Sequence, residues 1–342
     1  MSKKTAIVIC PGRGTYNADE LGYFTRHHGD KKSFMDMIDR VREAAGQEAI
    51  SAIDGADKFS SAVHGSGENA SLLIYACALA DFFAIDRTQY DIVGITGNSM
   101  GWYLSLAAGG ALSLEDGARL VNGMGQIMTQ RGTGGQVVYP RVDEDWRVSA
   151  KRQKAIDNAL SMVGDLTLST SIHLGGMQVF AGGDRGIRHL MAQLPKDGVF
   201  PLRLRGHSAF HSALLSHIVP LAQAAFAPDM FGQPDVPLID GQGNIWPHFS
   251  TDKHALFDYT LGRQINGTYD FTRAVQVAAK EFAPDVFIVL GPGGTMGAPT
   301  AQSLIDMEWR GLTSKKEFQK RNAKAPLIIS MGREDQRALV TT

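Results

Sequence analysis

The chain has 342 residues, and its 34 Lys and Arg against 35 Asp and Glu leave a formal net charge of −1. Such balance offers no electrostatic footing for nucleic acid or an anionic membrane surface, while the length can bury a large core in one elaborated domain or two. The longest apolar stretch, Leu72 to Ile85, is interrupted by Asp81 and is too short to span a bilayer.

Taken in chain order, Ala6 to Cys10 reads as a strand that ends in Pro11-Gly12-Arg13-Gly14. No apolar signal stretch with a small-residue cleavage site precedes it, so a cytoplasmic location is expected. Cys10 and Cys77 lie in apolar surroundings and are expected as buried free thiols, which suits a reducing compartment. His27-His28 is expected as a surface pair, and no metal-ligand spacing appears among the ten histidines, so no metal is expected. Helical periodicity runs over Phe34 to Ala45 and Ala70 to Phe83. A short β-rich run, Tyr90 to Thr96, leads into Gly97-Asn98-Ser99-Met100-Gly101, and the segment Trp102 to Gly110 follows as a helix. The next helix, Ser113 to Met128, opens with the capping pattern Ser113-x-x-Asp116.

From Gly132-Thr133-Gly134-Gly135 the texture changes. Gln136 to Tyr139 reads as a strand, Ala150 to Val163 as a helix, and Leu166 to Ser171 and Gln178 to Ala181 as strands. Gly186 to Leu194 reads as a helix and Val199 to Leu204 as a strand. This β-α-β-β-α-β order is the split ferredoxin-like unit. The chain is therefore expected as an α/β fold: a core of residues 1–131 and 205–342 with a parallel sheet, carrying an inserted ferredoxin-like small domain at 132–204.

The pentapeptide around Ser99 has the G-x-S-x-G spacing of a nucleophile elbow, in a strand–turn–helix context. A serine hydroxyl is a weak nucleophile and needs a base to take its proton. His207 and His211, in Gly206-His207-Ser208-Ala209-Phe210-His211-Ser212, return to the core just after the insertion and are the candidates; the residues alone leave the choice between them open.

An ordered series of motifs, from about Ala6 to Leu304, resembles the malonyl-CoA:acyl carrier protein transacylases, the acyltransferases of fatty acid synthesis and polyketide synthase modules. Pro11-Gly12-Arg13-Gly14-Thr15 resembles the family's P-G-Q-G-S, and Gly97-Asn98-Ser99-Met100-Gly101 its G-H-S-x-G. Ala107 to Asp116 follows as the family's link between helices does. Gly176-Met177-Gln178-Val179-Phe180-Ala181-Gly182 resembles G-Q-V-V-I-A-G, and Ala209-Phe210-His211-Ser212 matches A-F-H-S. Arg263-Gln264-Ile265 resembles R-Q-L, and Gly291-Pro292-Gly293-Gly294 the late G-P-G-K.

The resemblance implies an α/β-hydrolase-like core and a ping-pong acyl-CoA:acyl carrier protein S-acyltransferase. Ser99 would carry the acyl group, and His211 would serve as its base and then as acid to the departing thiol. The backbone carbonyl of Gln264 would steady the imidazole. The backbone N–H groups of Arg13 and Met100 would form the oxyanion hole. No bound cofactor is implied: acyl-CoA is the donor and the phosphopantetheine of a carrier protein the acceptor. An acyl-thioester hydrolase on the same residues, and a non-catalytic docking partner in a biosynthetic complex, are the rival expectations.

Departures from the family fall on substrate-facing positions. Malonyl-specific members place an arginine in a pattern like V-x-x-R-G-x-x-M; here Val121 to Met128 puts Met124 there. A thioether cannot pair a carboxylate, so an acyl group without a terminal carboxylate is expected unless Arg131 or Arg13 substitutes. Asn69 stands at the family's glutamine, His173 at its small-domain asparagine, Asn98 before the nucleophile and Gly294 at the late lysine. Phe210 before His211 resembles members taking small unbranched acyl units. The tail after Leu304 lies beyond the resemblance and is expected to be a helix capping the core.

Overall fold

The computed structural model of the protein describes residues 2–161 and 167–341. Among the described residues eleven strands follow one another along the chain. They are β1 (Lys4–Cys10), β2 (Tyr90–Gly97), β3 (Gly135–Pro140), β4 (Leu168–Leu174), β5 (Met177–Gly182), β6 (Leu202–Leu204), β7 (Leu238–Ile239), β8 (Ile245–Trp246), β9 (Tyr269–Asp270), β10 (Val286–Val289) and β11 (Ile328–Ser330). The helices that matter here are α1 (Lys32–Ala44), α2 (Gly67–Ala84), α3 (Gly101–Ala108), α4 (Leu114–Arg131), α5 (Ala150–Ser161), α6 (Asp184–Gln193), α7 (Phe271–Phe282), α8 (Gly297–Asp306) and α9 (Lys315–Lys324).

The larger sheet runs β11-β10-β1-β2-β7-β8. Its pairings are parallel except at the β8 edge. Buried on both faces by helices, its central strands carry near-continuous apolar runs such as Ala6 to Cys10, all fully buried. Helix α2 is buried from Ala70 to Phe82 on every side, which explains why its apolar pattern shows no polar face. Ser66 and Ser113 cap α2 and α4 by accepting from Asn69 N and Asp116 N, the second as the capping pattern anticipates.

The smaller sheet runs β6-β3-β5-β4-β9. Helices α5 and α6 pack on it through a separate apolar cluster that includes Tyr139, Ile156, Phe180 and Leu190. The predicted elements of this region recur with shifted ends. The expected helix end at Val163 and strand start at Leu166 lie outside the described residues. The strand expected from Val199 shrinks to Leu202–Leu204, because Pro201 has no N–H to give to a ladder. One strand comes from outside the expected insertion: β9 pairs parallel to β4 through Ile172↔Tyr269 and His173↔Asp270.

Two expectations are corrected. Beyond Leu304 the tail does contain a helix, α9, but it also supplies β11, the parallel edge of the larger sheet. After His211 a 3₁₀ turn at Ala213–Leu215 leads to a helix at Ile218–Ala225. His28 is wholly buried rather than superficial. Its Nε2 lies 2.7 Å from Asp81 Oδ1, where Arg337 and the Tyr23 hydroxyl also converge. Cys10 and Cys77 are buried free thiols, as read.

Candidate active site

Parallel register sets the site. Ile9 faces Thr96 and Cys10 faces Gly97, so the loop after β1 and the turn after β2 emerge side by side at the carboxyl edge of the sheet. The turn is tight enough to need its glycines: a Cβ on Gly97 would lie 2.4 Å from the backbone of Gly101, and one on Gly101 would lie 2.4 Å from Cys10 O. Ser99 is held there at φ 57°, a left-handed conformation that L-residues adopt only when the surroundings impose it.

Ser99 Oγ lies 2.7 Å from His211 Nε2. On the far side of the ring, His211 Nδ1 lies 2.7 Å from the backbone carbonyl of Gln264. A carbonyl only accepts, so Nδ1 carries the proton and Nε2 offers its lone pair to the serine hydroxyl. Burial pushes the His211 pKa down to about 4, against the opposing hydrogen bond to Gln264, so the ring is neutral at pH 7. This is the state a base requires.

The acceptor carbonyl is free for a helical reason. Residues Tyr259–Arg263 form a widened π turn that continues as Gln264–Asn266, and the last carbonyls of a helix lack intrahelical donors. His211 takes both: its ring bonds Gln264 O and its backbone N–H bonds Ile265 O at 3.1 Å. The Gln264 side chain is fixed by the Tyr103 hydroxyl at 2.8 Å and donates to Ser99 O at 3.1 Å, tying base support to elbow. Tyr269 packs its ring 5.2 Å from the imidazole and donates to Gly97 O at 2.6 Å. Tyr103 and Tyr269 have no motif signature, and the sequence analysis missed both.

Beside Ser99 lies a cavity of about 60 Å³ with mainly apolar walls. Arg13, Met100, Met124 and Phe210 line it, as do Val121 and Met128, the two ends of the V-x-x-R-G-x-x-M stretch. Among the described residues, neither the Arg13 nor the Met100 backbone N–H donates within the protein, so both can receive an oxyanion. Three other candidates lie elsewhere. Arg131 is exposed at the end of α4. Asn69 turns away to Arg42 Nη2 at 2.6 Å and Val63 O at 3.1 Å. His173 borders a separate groove with Arg141 and Arg273. For Asn69 the reason is on the page: Arg42 and Val63 hold its amide away from the cavity.

His207 is not a second base. Its Nδ1 bonds Gln136 Oε1 at 2.8 Å, and Gln136 reaches Ser171, whose hydroxyl donates to Phe210 O. That chain braces the peptide immediately before His211. Burial, with the Arg13 charge beside it, pushes the His207 pKa down to about 3.

No family model matches the chain. Among curated proteins, it is 30% identical over 150 residues to the polyketide biosynthesis protein ThaF of Burkholderia thailandensis, covering 42% of this chain and 12% of that protein. It is 25% identical over 201 residues to the malonyl CoA-acyl carrier protein transacylase of Bacillus subtilis, covering 58% of this chain and 60% of the relative. The chain thus spans less than two thirds of these curated relatives. Over its whole length it superposes on the malonyl-CoA:acyl carrier protein transacylase of Xanthomonas oryzae pv. oryzae, covering 100% of each chain at TM-score 0.76 and 16% identity. Its fold is that of the malonyl-CoA:acyl carrier protein transacylases. A type II polyketide malonyl-transacylase solved with its holo acyl carrier protein shares this transacylase fold at TM-score 0.69 and 18% identity, covering 90% of this chain and 99% of that one. The resemblance read from the ordered motifs is therefore matched in three dimensions, as a mixed α/β fold around a parallel sheet. Among the described residues, no helix is long and apolar enough to cross a membrane.

Proposed function

We propose that the protein is an acyl-CoA:acyl carrier protein S-acyltransferase working through a Ser99 acyl-enzyme. The observation that carries this is the hydrogen-bonded line from Ser99 Oγ through His211 to Gln264 O, opening on an apolar cavity. Ser99 Oγ attacks the thioester carbonyl carbon while His211 Nε2 takes its proton, and the oxyanion meets the N–H groups of Arg13 and Met100. The C–S bond then breaks, and the leaving thiolate takes the proton back from His211. In the second half, a pantetheine thiol gives its proton to His211 and its sulfur takes the acyl carbon; the ester bond to Ser99 Oγ breaks and Oγ takes the proton back from His211.

An acyl carrier protein as acceptor is supported by the complex solved for the polyketide relative. Division into a hydrolase-like core (1–131, 205–342) and a ferredoxin-like insertion (132–204) is supported by the β6-β3-β5-β4 order and by the insertion's own apolar cluster. As to the acyl group, buried Met124 offers no charge to a carboxylate held from α4. The acyl group therefore has no terminal carboxylate, or has one that a residue other than Met124 holds.

The test is intact-protein mass after mixing with an acyl-CoA, then with a holo carrier protein. Growth by one acyl group, lost in Ser99→Ala and discharged onto the carrier, is the expected result. Discharge to water at the same rate without carrier would mean a thioester hydrolase. A wild-type protein that never gains mass from any acyl-CoA would leave only a docking role.

A further inference from the structure

We propose that Arg13 selects the acyl group by receiving a carboxylate at its far end, a step that rests on the acyltransferase reading above. Arg13 shares the cavity wall with Ser99 and Met124 and is the one formally charged side chain among the described residues that line it. Its guanidinium crosses to α4. The Cβ position built on Gly67 lies 3.2 Å from Arg13 Nη1 and 2.9 Å from Thr129 Oγ1. Thr129 follows Met124 by about 7.5 Å along that helix. The charge absent at position 124 is thus supplied to the same wall from the loop after β1.

The guanidinium is under-used by the protein. Nη2 donates to Gly206 O at 3.2 Å, and Nε is buried with no partner. No carboxylate among the described residues pairs with it, and burial alone lowers its pKa to about 10, which leaves it charged at neutral pH. The Phe210 ring, 5.4 Å from Cζ, holds one face of the guanidinium while its edges stay available. A half-buried cation with open donors and no counter-ion among the described residues is a ready partner for an anion, and a planar fork suits a carboxylate. One residue then spans the substrate, its backbone N–H at the thioester oxygen and its side chain at the other end.

The test compares rates of acyl-enzyme formation from malonyl-CoA and acetyl-CoA by rapid quench and intact mass. The two donors carry the same phosphates, so their ratio reports the acyl carboxylate alone. Wild type is expected to load malonyl faster than acetyl. Arg13→Gln should lower the malonyl-to-acetyl ratio by about 30-fold, the worth of hydrogen bonds to a charged group. Arg13→Lys should lower it less, and adding Met124→Arg to Arg13→Gln should restore part of it. A wild type that loads acetyl but not malonyl, or an unchanged ratio in Arg13→Gln, overturns the proposal while leaving the acyltransferase reading intact. No adduct from either donor overturns the proposal, and the acyltransferase reading falls with it only if longer acyl-CoAs also leave no adduct.

Discussion

Ser99 and His211 meet across a 2.7 Å hydrogen bond with both backbones in the left-handed region, at φ 57° and 54°. Two strained residues facing one another imply that the surrounding packing, rather than local preference, fixes the pair. His211→Gln keeps the volume but loses the proton acceptor. It is expected to slow acyl-enzyme formation by roughly 10²–10⁴-fold, read by rapid-quench mass measurement, with the fold intact by circular dichroism.

Gln264 supports the imidazole through its main chain, so its side chain should matter far less. Gln264→Ala keeps the carbonyl at His211 Nδ1 and removes the bonds to Tyr103 and Ser99 O. A loss of about 1–2 kcal/mol in stability and under about tenfold in acylation rate is expected. A loss as large as that of His211→Gln would transfer the orienting role to the amide.

The acid limb of the rate follows from the same burial. With the His211 pKa down to about 4, the base stays neutral as pH falls from 8 to 5, and single-turnover acylation should fall only near pH 4. An acid limb near the ordinary 6.5 of histidine would contradict this. Stability has the same sign. Between about 6.5 and 4 the unfolded chain binds protons at His207 and His211 that the folded protein refuses. The contribution is therefore whole above 6.5 and declines through that window, as urea titrations at several pH values would show.

Legibility in the sequence tracked how local each constraint is. The elbow could be read because Gly97 and Gly101 are demanded by backbone contacts within one turn and its partner strand. His211 emerged as one of two neighbouring histidines; only the third dimension shows His207 bonded away to Gln136. Gln264 was legible only through the resemblance of Arg263-Gln264-Ile265 to R-Q-L, because it acts through a main-chain carbonyl that a π turn releases. Arg131 and Arg13 looked equivalent as spare cations, yet one ends a helix in solvent and the other bends into the cavity. Strands β10 and β11 are four and three residues long, too short for periodicity to reveal, and β11 is defined by its pairing with β10.

Gly101 tests the packing claim. In Gly101→Ala the new methyl would meet Cys10 O at 2.4 Å and Pro11 O at 2.9 Å, and neither is a side chain that can swing aside. Backbone must shift, at a cost of about 1–3 kcal/mol or more, and the shift moves both the loop of Arg13 and the elbow of Ser99. Lower urea resistance together with slowed acylation is expected. A variant as stable and as fast as wild type would show that the strand ends are farther apart than described.

Arg337 Nη1 lies 2.7 Å from Asp81 Oδ1, 2.9 Å from the Tyr23 hydroxyl and 3.2 Å from Met331 O, so it fastens the chain beyond β11 to α2. Asp81 also accepts from Gly291 N at 2.7 Å, which ties the same cluster to the loop after β10. Burial by itself would raise the Asp81 carboxyl, but the His28 hydrogen bond and the Arg337 charge hold it below the ordinary carboxylate range. Arg337→Met removes the cation and leaves a carboxylate at zero exposure, which is expected to cost about 3–5 kcal/mol. Adding Asp81→Asn should recover part of that loss, because the stranded charge is gone while the bonds from Tyr23 and Gly291 can persist. Urea midpoints for the two variants decide it. If Arg337→Met alone is within about 1 kcal/mol of wild type, the pair contributes as little as an exposed one, and the tail is held by the β10–β11 ladder instead.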